Sequence, residues 1–372
     1  MPTVLVTGGT GFVGSHVIRL LLERQHYTVF CLCREGSFLP LRELAGRSVH
    51  RITGDIESAE DVAAAIAASR PDYVFHLAGV YAWWQPSHSR FRNVNANGVR
   101  NIVAACSSGP KLVHVSTVLA YGNPPGRGLT PETAFDELTP PGPAASAYAS
   151  SKHEGDRIAQ AAFEAGAVRG CTCFLACCIG ADPKLLDAER DVMKIAPLVR
   201  GQIPATVASP TTFTYVYVRD AAEAIVRAAE KGGNERGERY LIGNQRLSTG
   251  AYYALIAELS GQPPPRAEVP SWLALGAGHV AAFVARHMTG RNPMAPADLV
   301  RTAARGTLLF KAEKSERELG LVYTDIRVAF TEAVDLVTAP SVEPPADQAE
   351  AVTRLLAASE DGRSDDPTGG RR

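Results

Sequence analysis

The sequence predicts an α/β fold, a doubly wound parallel sheet with a smaller α+β lobe interleaved with it. Three observations carry that prediction. From residue 3 to 180, short β-branched runs alternate with helical patterns, as parallel βαβ units require. The chain has 372 residues, enough for about two domains. After Gly180 the alternation loosens into helices, a few strands and proline-rich connections such as Gln262-Pro-Pro-Pro265.

The first strand is expected at Val4–Thr7. It ends in Thr7-Gly8-Gly9-Thr10-Gly11-Phe12-Val13-Gly14 and runs directly into an apolar-periodic helix, Ser15–Glu23. Glycines at 8, 11 and 14 suit a tight turn, close approach of backbone to a pyrophosphate, and close helix-to-strand packing. A strand before, a helix after and an N-terminal position mark a dinucleotide site of the Rossmann kind, at Gly8, Gly11, Phe12, Val13 and Gly14. The second strand, Thr28–Cys33, decides between cofactors, because an acid at its end suits a free ribose hydroxyl and an arginine suits a 2′-phosphate. Arg34 stands there with no acid before Glu35, so NADP is favoured. A solvated arginine would leave NAD possible. The third strand, Val49–Thr53, leads to Gly54-Asp55-Ile56, where Asp55 is placed to accept from an adenine amino group. A plain loop aspartate is the other reading.

The helix Ala59–Ser69 and the fourth strand, Tyr73–Leu77, come next, then the helix Gly98–Ser107 and the fifth strand, Leu112–Ser116. Hydroxyls at Ser116 and Thr117 fall on the carboxyl end of that strand. Tyr148 and Lys152 stand four apart in a run that reads as helix through Ala162, so they share a face. A free phenol titrates near pH 10, and a neighbouring ammonium favours the phenolate. Together with a strand-end hydroxyl, this pair makes a two-donor site for polarising a carbonyl. The sixth strand is expected at Thr172–Leu175, and Phe213–Val218 followed by the helix Ala221–Glu230 as a return of the chain to the first lobe. The domains are then 1–180, 181–338 and a disordered tail, 339–372, with one helix-like stretch at Gln348–Ser359.

At this point the chain resembles the extended short-chain dehydrogenase/reductases, the NAD-dependent epimerase/dehydratase family, over roughly residues 3 to 338. Beyond the glycine loop and Tyr148-x-x-x-Lys152, the likeness rests on Gly54-Asp-Ile56, His76-Leu-Ala-Gly79, Asn93-Val-Asn95-Ala-Asn-Gly98, Val115-Ser-Thr117, Phe213-Thr-Tyr-Val-Tyr-Val218 and Glu316-Arg-Glu-Leu-Gly320. It implies that Thr117 is the catalytic hydroxyl, with Ser116 as its neighbour. It further implies that Ile56 joins Asp55 at the cofactor, that Leu77, Ala78 and Gly79 border its ribose and nicotinamide, and that Asn95 joins a proton relay or fixes its helix. It also implies a homodimer packed through the helix of Tyr148. Where relatives carry Arg-Pro or Asn-Pro, this chain reads Phe174-Leu-Ala-Cys-Cys-Ile-Gly180, so the nicotinamide contact of that segment is not carried over.

Tyr81, Trp83 and Trp84 gather in the loop after the fourth strand, where they suit an apolar or flat small-molecule substrate. Packing against the second lobe is the alternative. With these features the likeness is greatest to the dihydroflavonol-reductase, 3β-hydroxysteroid-dehydrogenase and hopanoid-associated epimerase-like group. The resemblance then implies an NADP-dependent reductase of a ketone or aldehyde. A nucleotide-sugar epimerase or dehydratase would use the same pair with a recycled NAD. It calls for an acid after the second strand, which is absent, and for cations such as Arg200, Arg219 or Arg239 on a diphosphate. A cofactor-binding protein without catalysis would be expected to lack Tyr148, Lys152 or the hydroxyl, and all are present.

Composition narrows the rest. Net charge is −1, with 38 basic against 39 acidic side chains, so there is no footprint for nucleic acid. Seven cysteines at 31, 33, 106, 171, 173, 177 and 178 form no C-x-x-C pair, which argues against a metal site or a disulfide framework. No signal-peptide pattern follows Met1, so a cytoplasmic protein is expected. The longest apolar stretch, Leu273–Ala285, is too short to span a bilayer and reads as a packed helix, ahead of an interfacial one.

Overall fold

The computed structural model describes residues 1–37, 49–107, 109–186, 191–231 and 235–339. Six strands arise where β-branched runs were read: Thr3–Thr7 (β1), Thr28–Cys33 (β2), Val49–Thr53 (β3), Tyr73–His76 (β4), Lys111–Thr117 (β5) and Gly170–Leu175 (β6). Beyond them lie Cys177–Ile179 (β7), Ala205–Thr206 (β8), Thr212–Tyr217 (β9), Arg236–Ile242 (β10), Gln245–Ser248 (β11) and Ala267–Glu268 (β12). The helices are Phe12–Glu23 (α1), Ala59–Ser69 (α2), Ser89–Arg92 (α3), Gly98–Cys106 (α4), Ala147–Glu164 (α5) and Ile195–Val199 (α6). They continue with Val218–Glu230 (α7), Thr249–Ser260 (α8), Ser271–Val284 (α9), Ala297–Ala304 (α10), Glu313–Leu319 (α11) and Ile326–Thr338 (α12).

The main sheet has seven strands in the order β10-β6-β5-β4-β1-β2-β3, every neighbouring pair parallel. Both faces are covered, which is why central strands such as β1, β5 and β6 are buried along nearly their whole length. Val4 and Val6 pack with α1 and α7 on one side, and Leu5 with α2, α4 and α5 on the other. Full burial of side chains such as Leu5, Ile18 and Leu21 contributes roughly 1.5–3 kcal/mol each. The order turns back between β1 and β4, so the crevice for a ligand opens at their carboxyl ends.

A three-stranded sheet, β11-β9-β7, packs with α6, α8 and α12 around Tyr215, Tyr252 and Phe330. Here two expectations are corrected. Thr212–Tyr217 belongs to this smaller sheet, antiparallel to β11, and the return to the first lobe is made by α7 and β10. β-Propensity marks a strand without naming its sheet. The second correction concerns α9. Leu273–Ala285 is helical, but of α9's residues only Gly278 is buried, so it is not a packed core helix.

Met1–Val337 forms one compact unit. The expected disordered tail, apart from its first residue, and the stretch Gln348–Ser359 lie outside the described residues. Among the described residues all seven cysteines are free, no His/Cys/Asp/Glu group could hold a metal ion, and no helix is long and apolar enough to cross a membrane.

Candidate functional site

β1 delivers the chain to the crevice, and the glycines fold it back at once. The Gly11 amide donates to the Gly8 carbonyl at 2.9 Å. Gly8 sits at φ +73°, and a Cβ there would lie 2.6 Å from the backbone of Leu77 and Ala78. A Cβ on Gly14 would lie 2.2 Å from the Gly8 oxygen. No other residue fits either place. The first turn of α1 has neither a side-chain cap nor an acid, so its amides face outward unpartnered by side chains. That is an anion cradle of the kind a pyrophosphate fills.

In front of the cradle lies a cleft of about 630 Å³ lined by Gly8, Gly11, Phe12, Val13, Gly14, Leu77 and Gly79, and by Ser116, Thr117, Tyr148 and Lys152. Thus the two motifs read separately in sequence share one cavity. Ser146 caps α5, its hydroxyl accepting from the Ala149 amide at 3.1 Å, and this fixes the turn that carries Tyr148. One helical turn on, the Lys152 ammonium donates to the Val115 carbonyl at 2.9 Å. Thr117 ends β5 and its oxygen accepts from the Leu119 amide at 3.3 Å. The Ser116 hydroxyl is buried with no partner among the described residues.

Burial governs the charges. It pushes the Tyr148 phenol above its ordinary value of 10.0, with the negative charge of Asp156 adding to the rise and a hydrogen bond with Thr117 opposing it. Burial also brings the Lys152 ammonium below 10.5, against the pull of Asp156. The expected lowering of the phenol by Lys152 does not set its state here, because desolvation is the largest cause and its direction is upward. A neutral phenol is the form able to give up a proton.

Behind the site runs a buried polar line. Thr7 Oγ1 meets His76 Nδ1 at 2.8 Å, the rings of His76 and His114 stack at 5.6 Å, and His114 Nε2 meets Asp156 Oδ1 at 2.9 Å. Burial holds both histidines below the usual 6.5. Asn95 lies in a π-helical turn, Asn93–Asn97, between α3 and α4. Its amide accepts from Val80 N at 2.8 Å and donates to Val80 O and to Ser151 Oγ at 3.1 and 2.9 Å. The geometry makes it a clamp between the loop after β4 and α5.

Tyr81 and Trp84 line the cleft, the Tyr81 ring 4.9 Å from that of Tyr148. Trp83 is not in the lining; its indole donates to the Val192 carbonyl at 3.1 Å and ties the loop to a distant segment. Arg34 is exposed at the end of β2, and its carbonyl accepts from Arg51 at 3.2 Å. Asp55 accepts from the Glu57 amide at 3.0 Å, while Ile56 is buried beside Gly98. Ala78 donates its amide to Thr7 Oγ1 at 3.3 Å. None of these four borders the cleft itself. Lining residues absent from the sequence reading include Cys177, Cys178, Asp191, Met193 and Asn292. Cys177 and Cys178 fall in the segment after β6 whose family contact was not carried over, and no motif marks Asp191, Met193 or Asn292, which the second half of the chain brings to the cleft.

A hollow of about 790 Å³ opens at the opposite, amino ends of β4 and β5, lined by Asp72, Lys111, Arg169 and Glu235. It holds neither the glycine loop nor the Tyr-Lys pair. Its Lys111 ammonium is engaged by the Ala229 and Lys231 carbonyls, so the chemistry belongs to the cleft.

A family model, NAD dependent epimerase/dehydratase family, matches residues 4–243. A Synechocystis protein named "Putative dihydroflavonol 4-reductase" is 29% identical over 339 residues, 88% of this chain and 92% of that protein. "Sterol demethylase protein B" of Methylococcus capsulatus is 28% identical over 344 residues, 89% and 97% of the two chains. Among solved structures, UDP-glucose 4-epimerase of Thermus thermophilus in complex with NAD superposes with a TM-score of 0.67 at 22% identity, over 91% of this chain and 99% of that one.

Proposed function

The chain belongs to the NAD dependent epimerase/dehydratase family, NAD(P)-dependent oxidoreductases and epimerases of the extended short-chain dehydrogenase/reductase kind, and from that premise we propose that it is an NADP-dependent reductase of a ketone or aldehyde on an apolar substrate, reversible as an alcohol dehydrogenase. The observation that carries the reading is the character of the cleft. Of the arginines that a nucleotide diphosphate would call for, Arg200 bonds the Leu186 carbonyl, Arg219 pairs with Glu332 and Arg239 faces Gln160. None lines the cleft, where Lys152 and Lys184 are the cations among the described residues and Tyr81, Trp84, Leu119 and Ile195 supply apolar surface.

The residues divide the work. Gly8, Gly11 and Gly14 with the first amides of α1 would hold the pyrophosphate, and Arg34 would face the 2′-phosphate. A nicotinamide bound there supplies or accepts the hydride. Tyr148 gives its proton to the substrate oxygen, Thr117 donates a second hydrogen bond to that oxygen, and Ser116 is the alternative donor. Lys152 spends one N–H on Val115 and keeps the others for the cofactor ribose and for the charge left on Tyr148. Two copies pairing through the face of α5 complete the reading.

The test is the cofactor content of the purified protein, then titration of cofactor-free protein with NADPH and NADH by fluorescence. Tighter, exchangeable binding of NADPH is expected, followed by turnover of apolar ketones or aldehydes. Co-purified, slowly exchanging NAD with turnover of nucleotide sugars would replace this reading with the epimerase one.

A further inference from the structure

From Val269 to Ala297 the chain has no Asp or Glu, yet carries Arg286, Arg291, His279 and His287. α9 occupies most of this stretch, and His279 is the single ionisable residue between Ser271 and Ala285. One face is built of small residues and is pressed against the protein. A Cβ on Gly278 would stand 3.0 Å from the Ala295 oxygen and the Ala297 nitrogen. The other face projects Trp272, Leu273, Val280 and Phe283 at 75%, 50%, 65% and 63% exposure, continued by Met288 at 77% and Met294 at 54%. A contiguous apolar patch of this kind marks an interaction surface.

We propose that this face docks on the surface of an anionic lipid bilayer, with α9 lying in the plane of the interface. Trp272, Leu273 and Phe283 on the outer face are side chains that settle at a bilayer interface, and Arg286 and Arg291 follow at the end of the helix. Charge also selects the occupant. A second copy of the chain meeting the patch about a twofold axis would bring Arg286 and Arg291 toward their own kind, with no acid in the stretch to pair them. Anionic headgroups meet the same arginines favourably. The place fits as well, because Gly290 and Asn292, just past the helix, line the cleft. Arg286 is 3.3 Å from His88, on the loop that carries Trp84. Docking therefore sets the cleft mouth beside the lipid, where apolar molecules concentrate. The docking rests on the surface alone and does not depend on the reductase reading.

The experiment is sedimentation of the full chain with vesicles of phosphatidylcholine alone and of equal parts phosphatidylcholine and phosphatidylglycerol. The wild type is expected to sediment with the second in preference, more weakly as salt is raised. Trp272→Ser with Phe283→Ser should lower partition by about tenfold or more with an unchanged melting temperature. Arg286→Glu with Arg291→Glu should remove the preference for phosphatidylglycerol. Turnover of a water-soluble carbonyl in buffer without vesicles should be the same in all three proteins, which separates this proposal from the catalytic one. Failure of the wild type to sediment with either vesicle overturns the proposal, as does full binding by the Trp272/Phe283 variant. A dimer that this variant dissolves, with no vesicle binding, assigns the face to a second copy.

Discussion

Tyr148 is the residue on which the chemistry turns, and its burial sets its state. A phenol held neutral can donate a proton across the whole ordinary pH range, so reduction should be flat through neutrality and fall only in strong alkali. Tyr148→Phe keeps the ring and removes the proton, so turnover should drop about 10²- to 10⁴-fold while NADPH affinity stays level. Full activity in that variant would discard the mechanism. The pair itself was legible, because four-residue spacing on a helix is a local property. Its electrostatics were not, because the Tyr81 ring packed 4.9 Å from it and the Cys177 and Cys178 thiols that add to the rise lie far away in sequence. His16 shows the same limit and offers a pH test. Burial, then the charges of Arg19 and Arg219, lower it from 6.5 to about 4. Between those values the unfolded chain binds the extra proton, so stability is present above pH 6.5 and is lost as pH falls. By pH 5 this one group costs about 2 kcal/mol. Urea melts of wild type and His16→Gln at pH 7 and 5 should show the smaller loss in the variant.

Helices and strands were read well where the pattern was local, and less well where partners decide. α5 needs little beyond its own sequence, because Ser146 supplies the cap and an alanine-rich run follows. Ser146→Ala should cost about 1 kcal/mol, seen as a lower melting midpoint, and should loosen the turn that aims Tyr148, so that turnover falls more than cofactor affinity. A cap without consequence for the site would leave turnover untouched. The glycine loop is nearly as local, since Gly14 is demanded by Gly8 and Gly9 in the same turn, while Gly8 is demanded by its positive φ and by Leu77 and Ala78 just past β4. α9 is the opposite case. Its lack of period says that water is unwelcome all round it, and from that a core position follows only if the rest of the chain provides cover. The fold provides it on the Gly278 side alone.

At the scale of the molecule, the chain crosses itself more deeply than a boundary at 180 suggests. β10 forms one edge of the main sheet beside β6, and α7 packs against α1, β5 and β6. A fragment of residues 1–180 would lack both and expose the apolar faces of Val113, Val115, Cys171 and Cys173, which the whole chain buries. It should show no cooperative thermal transition, whereas residues 1–337 should melt in one. A doubly wound parallel sheet was foreseeable because strands alternate with helices over residues 3–180. The sheet to which Thr212–Tyr217 belongs was not, because only its packing partners distinguish the two. The helix from Ser89 to Cys106 contains the π turn Asn93–Asn97, which uses one residue more per turn than the α-helix on either side. It acts as a phase shifter, setting the two halves out of step so that the Asn95 amide reaches Val80 and Ser151 together. The clamp is thus keyed to a count of residues as much as to an amide, and a chain one residue shorter there would keep a regular helix and swing Asn95 away from its partners.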